Sequence, residues 1–172
     1  MGTPDGRIPG QYLLAAIDII DKLRSFPELY LTIGFFEIYG SKLIDLLNDR
    51  QELQCLEANN KNHIKGLEQK VVNSVEMIMD VIAEGLQLRS SGSTGANDSS
   101  SRSHAILQME LKREHNHQLH ARMSFIDLAG SERGADTTDN DKKTRNEGRE
   151  INTSLLALKE CIRALDQQKD HV

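Results

Sequence analysis

A chain of 172 residues that is 27% charged, 38% hydrophobic and 4% aromatic reads as one globular domain, and disorder throughout is excluded. Its 21 Lys plus Arg against 26 Asp plus Glu leave a formal charge of −5, whereas a generic binder of nucleic-acid polymers would be basic. No apolar run approaches the roughly eighteen residues of a membrane span, Met1 to Gly10 lacks the basic and apolar regions of a signal peptide, and Gly6 stands where a myristoylation signal needs Ser or Thr.

After a turn-rich start with Pro4 and Pro9, Leu13, Ala16, Ile17, Ile20 and Leu23 recur at helical spacing, which predicts a helix over Tyr12 to Leu23 that ends near Pro27. Leu29 to Tyr39 is a nearly continuous β-prone run closed by Gly40, the pattern of a well-buried strand. Ser41 to Asn48 reads as a short helical or extended link, and Glu52 to Ser74 as weakly alternating segments with turns at Asn59, Asn60, Asn62 and Gly66. Ser74 can cap a helix with a stripe of Val75, Ile78, Ile82 and Leu86, ending near Leu88. Ser90 to Ser103 is rich in serine and looks like a linker unless something orders it. His104 to Lys112 then alternates as a strand, Glu114 to Gln118 is a turn, and Ala121 to Leu128 is the return strand. Gly134 to Thr144 is loop-like. A last helix runs from about Asn146 to Asp166, with Ile151, Leu155, Leu158, Ile162 and Leu165 along its core face.

That hairpin places His104 roughly opposite Asp127, so Asn97 to Ser103 and Asp127 to Glu132 meet at one end of the sheet. One segment carries hydroxyls and Arg102; the other carries a strand-end carboxylate and Gly130, whose backbone N–H can approach an anion closely. A nucleotide switch needs such parts: a carboxylate that holds Mg²⁺ through water, hydroxyls that complete the shell, and a Gly that senses a terminal phosphate. From spacing alone a solvated serine loop and a turn residue at Asp127 remain open. His115, His117 and His120 read as a solvated turn, and Cys55 and Cys161 as free thiols of a reducing compartment.

Asn97-Asp98-Ser99-Ser100-Ser101-Arg102-Ser103-His104 fits N-x-x-S-S-R-S-H, and Asp127-Leu128-Ala129-Gly130-Ser131-Glu132 fits D-L-A-G-S-E; these resemble the two switches of kinesin motors. Phe35-Phe36-Glu37-Ile38-Tyr39 resembles the family's strand motif F-x-E-I-Y, and Glu150-Ile151-Asn152-Thr153-Ser154-Leu155 its microtubule-facing helix. Glu132 to Thr137, Thr144 to Gly148 and Leu156 to Leu165, above all Lys159-Glu160-Cys161, resemble the internal-motor subfamily that depolymerises microtubules. The resemblance implies an α/β fold, part of the kinesin P-loop NTPase fold, with a mixed β-sheet flanked by helices. It implies ATP and Mg²⁺ as ligands, microtubules as partner, and a place in the cytoplasm on the microtubule cytoskeleton.

Residue by residue, the resemblance gives Asn97 and Ser100 contacts around the terminal phosphate and Ser101 a direct Mg²⁺ contact. Asp127 gains a water-mediated Mg²⁺ contact, Gly130 the phosphate sensor, and Arg102 with Glu132 the ion pair that closes the switches for hydrolysis. Lys142, Lys143, Arg145, Arg149, Asn152, Lys159 and Arg163 are the microtubule-facing set, and Thr153 stands where the family usually has Lys. No G-x-x-x-x-G-K-[ST] pattern occurs in the 172 residues. Residues 1–172 therefore read as a partial motor domain, lacking the phosphate loop on one side and the closing strand and helices on the other. The expectation is an ATPase as part of a complete motor and inactivity in isolation; a non-hydrolysing module that binds microtubules or another motor chain is the alternative.

Overall fold

Leu29–Tyr39 forms β1, the strand on which the sheet is organised, and its side chains explain both sides of the sheet. The computed structural model of the protein describes residues 10–58, 61–91, 102–130 and 142–167. Successive strand residues point to opposite faces. Accordingly Leu31, Ile33 and Phe35 enter one core with Ala16, Val72, Ile78, Ile82, Leu107 and Met109, while Phe36 enters a smaller cluster with Leu53 and Ile106.

In chain order the elements are α1 (Gln11–Leu23), β1, β2 (Lys42–Asp45), β3 (Glu52–Ala58), β4 (Lys61–Lys65), β5 (Lys70–Val72), α2 (Val75–Ser91), β6 (Ser103–Arg113), β7 (Leu119–Asp127) and α3 (Lys142–Asp166). The strands follow the order β4-β3-β2-β1-β6-β7, and β5 shares the β2 edge of β1. Every described pairing is antiparallel. β1 and β6 match without a slip from Leu29↔Arg113 to Tyr39↔Ser103. Asp45, fully buried, accepts the backbone N–H groups of Leu47 at 2.8 Å and Glu68 at 2.7 Å, and so ties the end of β2 to the approach of β5.

α1 and α2 cover the larger core, where Tyr12 stacks edge-on against Phe125 of β7 at a centroid distance of 5.2 Å. Ser74 Oγ accepts the Met77 N–H at 3.2 Å, the cap its position predicts. Of the two forms expected for the link after Gly40 it takes the extended one, as strand β2, because Leu43 and Ile44 pair with both β1 and β3. Two expectations are corrected. On α1 the stripe turns by a fraction of a turn: Ile17 is 47% exposed and Ile19 packs inward. α3 begins at Lys142, about one turn before Asn146, and Ile162 is 58% exposed, off the core face where Ile151 and Ala164 are buried.

Candidate functional site

The ends of the two chemistry-bearing segments do meet. Ala105 pairs with Asp127, one position from the expected His104, so the exit of the Ser-rich stretch lies beside the end of β7. Ser103, Glu37 and Asp127 all fall on the α2 side of the sheet, by the same alternation that sends Phe35 there.

Arg89 of α2 organises that corner. Its Nη1 donates to Asp127 Oδ2 at 2.6 Å, its Nη2 donates to the Ser103 carbonyl at 2.9 Å, and its Nε lies 4.0 Å from Glu37 Oε2. Ser103 Oγ donates to the same Glu37 Oε2 at 2.8 Å. Arg50, in the left-handed region at φ 58°, donates from Nη2 to Glu37 Oε1 at 2.6 Å and from Nη1 to the Leu88 carbonyl at 3.1 Å, near the C-terminal end of α2. Arg89 and Glu37 are nearly sealed, with side chains 5% and 2% exposed, while the Asp127 side chain is 55% exposed. Charges held this deep depend on one another: deleting one partner leaves the other desolvated, at a cost of several kcal/mol.

A second constellation centres on His104, buried at the start of β6. Its Nδ1 accepts the Ala129 N–H at 3.0 Å, and its Nε2 lies 2.7 Å from Ser154 Oγ of α3. Burial first, and the Arg89 charge second, lower the pKa of His104 against the opposing effect of Asp127. Tyr12, beside the cleft it lines with Gln11, Phe125, Ile126 and Asp127, has its phenol pKa raised by burial and then by Asp127, with Arg89 opposing.

Of the residues expected at the phosphate end, Arg102, Asp127 and Gly130 are described and lie at this corner, whereas Asn97, Ser100, Ser101 and Glu132 lie outside the described residues. Asp127 suits the expected Mg²⁺ contact: it offers a hard oxygen donor at a strand end, with much of its side chain facing solvent where water can intervene. Among the described residues no cluster of three or more His, Cys, Asp and Glu forms a metal site of its own. His117 instead contacts Tyr30, its Nδ1 2.9 Å from the hydroxyl, and His120 contacts Arg113. No helix among the described residues is long and apolar enough to cross a membrane.

The expected polymer-facing residues fall on α3. Arg149, Asn152, Lys159 and Arg163 are exposed, and with Leu156, 58% exposed, they follow a spacing of three, four, three and four that lines one helical stripe. Lys142, Lys143 and Arg145 belong to the first turns of α3, but their side chains lie outside the described set. Arg163 pairs with Glu160 at 2.9 Å, an exposed contact worth under about 1 kcal/mol. Thr153 Oγ1 donates to the Arg149 carbonyl at 2.9 Å.

Glu37, Arg50 and Arg89 had no assigned role in the sequence reading. Two of them carry a readable signal: Glu37 is the single charge in an apolar strand, and Arg89 stands four residues after Gly85 and seven after Ile82, on the buried stripe of α2. The left-handed backbone at Arg50 has no comparable mark.

The kinesin motor domain family matches residues 4–172. The chain is 56% identical over 150 residues to Kinesin-like protein KIN-13B of Arabidopsis thaliana, a match taking in 83% of this chain and 22% of that protein. It is 51% identical over 167 residues to Kinesin-like protein KIF24 of Mus musculus, covering 95% of this chain and 12% of the relative. Kinesin-like protein KIN-13A of Oryza sativa subsp. japonica is 51% identical over 160 residues, 83% of this chain and 20% of its own length. The chain thus spans 12–22% of the length of these relatives.

Proposed function

The chain belongs to the kinesin motor domain family, and from that premise we propose that it forms the switch-bearing part of an ATP-driven microtubule motor of the depolymerising subfamily. The observation that supports this most directly is the Arg89 fork, which joins the carbonyl of Ser103, at the end of one switch motif, to the carboxylate of Asp127, at the start of the other. Both motifs are thereby anchored to one buried cation at the edge of a rigid sheet, as a site that must respond to one phosphate requires.

In this reading Asn97 and Ser100 position the terminal phosphate of ATP and its attacking water, and the Gly130 N–H donates to a phosphate oxygen. Arg102 and Glu132 close over the site and exclude bulk water. Ser101 and Asp127 would hold Mg²⁺, which when bound supplies neutralisation of phosphate charge. Arg149, Asn152, Lys159 and Arg163 present a stripe to the acidic polymer on the cytoplasmic microtubule cytoskeleton, supported by Lys142, Lys143 and Arg145. The resemblance of Lys159-Glu160-Cys161 supports the depolymerising assignment.

Steady-state phosphate release by the full-length protein tests this. Microtubule-stimulated turnover at or above about 1 s⁻¹ is expected, the low end of common enzyme rates, and Arg102→Ala or Glu132→Ala should reduce turnover far more than nucleotide affinity. The 172-residue chain alone, which holds no G-x-x-x-x-G-K-[ST] pattern, should show no significant turnover. A second reading, a non-hydrolysing microtubule- or motor-binding module, would be established by microtubule binding without turnover in the full-length protein. Sedimentation of stabilised microtubules should leave additional tubulin in the supernatant if the depolymerising assignment is right.

A further inference from the structure

The bonds at His104 have only one self-consistent proton arrangement. The Ala129 N–H can only donate, so Nδ1 must be bare. A neutral ring then carries its proton on Nε2, which donates to Ser154 Oγ at 2.7 Å. Ser154 in turn donates its own proton to the Ile151 carbonyl at 2.7 Å. The result is a directed chain of three hydrogen bonds, from the backbone beside Gly130, through a flat, rigid ring, into the backbone of α3. The ring has little freedom to absorb motion, because it is only 6% exposed and rooted in β6, between β1 and β7. Displacing Ala129 by about 1 Å must therefore either break its bond to Nδ1 or carry the ring against Ser154.

We propose that His104 is a positioning residue that couples the Ala129–Gly130 backbone to α3 through Ser154, so that the state of the phosphate end biases how α3 meets its polymer. This rests on the motor reading above and adds to it a specific connector, with the ring's two nitrogens assigned to different partners. Coupling between two sites is a ratio of affinities, commonly about 5- to 150-fold, and it is this ratio that the connector would set.

The two arms of the ring can be removed separately. In His104→Asn the side-chain oxygen can take the place of Nδ1 and keep the Ala129 bond, but the side chain is too short to reach Ser154. Ser154→Ala removes the acceptor and leaves the ring in place, on an α3 residue outside the proposed polymer-facing set. The experiment measures microtubule affinity of the full-length protein with ADP and with a non-hydrolysable ATP analogue. The wild type should show a difference of at least about fivefold. Ser154→Ala and His104→Asn should each bring that difference toward unity, with basal turnover of Ser154→Ala within twofold of wild type, and the double variant should lose no more than either single one. Amide exchange at Ala129 should stay slow in His104→Asn and become fast in His104→Ala. A full nucleotide-dependent difference retained in folded Ser154→Ala overturns the proposal while leaving the motor reading intact. No difference in the wild type itself overturns the motor reading, and the connector with it. If His104→Asn fails to fold, Ser154→Ala still decides.

Discussion

Replacing Gly85 by Ala sets two well-sized effects against each other. Ala is a better helix former than Gly by about 1 kcal/mol, and Gly85 lies inside the 17-residue α2. A Cβ there, however, would lie 2.3 Å from Cδ1 and 2.8 Å from Cε1 of Phe35. Comfortable carbon contacts begin near 3.5 Å, so the ring or the helix has to yield by about 1 Å. Phe35 is 1% exposed on the central strand and packed with Ile82 and Leu107, so neither side can yield cheaply. Overpacking of this kind costs about 1–3 kcal/mol, and the hemmed-in ring puts the cost at the upper end. Gly85→Ala should therefore be net destabilising by about 1–2 kcal/mol, a fall in Tm of roughly 2–8 °C for a chain of this size. Thermal and urea unfolding followed by circular dichroism would read it, and Phe35→Leu added to Gly85→Ala should recover part of the loss. A raised Tm for Gly85→Ala would refute the reasoning, since helix propensity would then outweigh a contact judged immovable.

Glu37→Gln should destabilise by about 3 kcal/mol, because Arg89 remains buried with less compensating charge; a shift in urea midpoint under a quarter of that size would show the corner to be solvated. Thr153→Lys in the full-length protein should strengthen microtubule cosedimentation chiefly at low salt, since one added charge is screened over about 8 Å at physiological ionic strength; no gain at low salt would turn residue 153 away from the polymer. Acid should weaken the fold through His104: the unfolded ring takes a proton near pH 6.5, the folded ring only at lower pH. The unfolded state thus binds more protons between those values, and stability present above pH 6.5 is lost as pH falls through that window. Comparing urea midpoints at pH 7.5 and 5.5, His104→Asn should lose less than wild type, and equal losses would contradict the assignment.

Periodicity was sufficient where one physical demand ruled a segment. β1 had to be buried on both faces, and its continuous apolar run marks Leu29–Tyr39 to the residue. The alternation of Ala105, Leu107 and Met109 likewise identified β6, and with it the meeting of the two segments that carry the site. Lys142 to Arg145 show why the start of α3 was invisible: a polar helical turn without an apolar stripe has no periodic mark, and Gly134 to Thr144 therefore looked like loop throughout. Arg89 was missed for another reason. A cation in the last turn of a helix ordinarily complements the helix dipole at the surface, and only the partners Asp127, Ser103 and Glu37, all distant in sequence, make burial tolerable. Asn97 to Ser101 and Ser131 to Glu132 were legible as motif and lie outside the described residues.

The unbroken match of β1 with β6 also has a consequence for biosynthesis. Glu37 and its partner Ser103 are 66 residues apart, and translation at about 5–20 residues per second separates their appearance by roughly 3–13 s. Throughout that interval Leu29–Tyr39, one of the most β-prone and least charged stretches of the chain, has nothing for one edge, while the other is filled first by β2 and, once residue 72 is made, by β5. An unpaired strand edge of this kind is a template for intermolecular pairing. Slowing translation between residues 72 and 103 should thus lower the soluble yield, whereas slowing it after residue 113, once β6 is complete, should not.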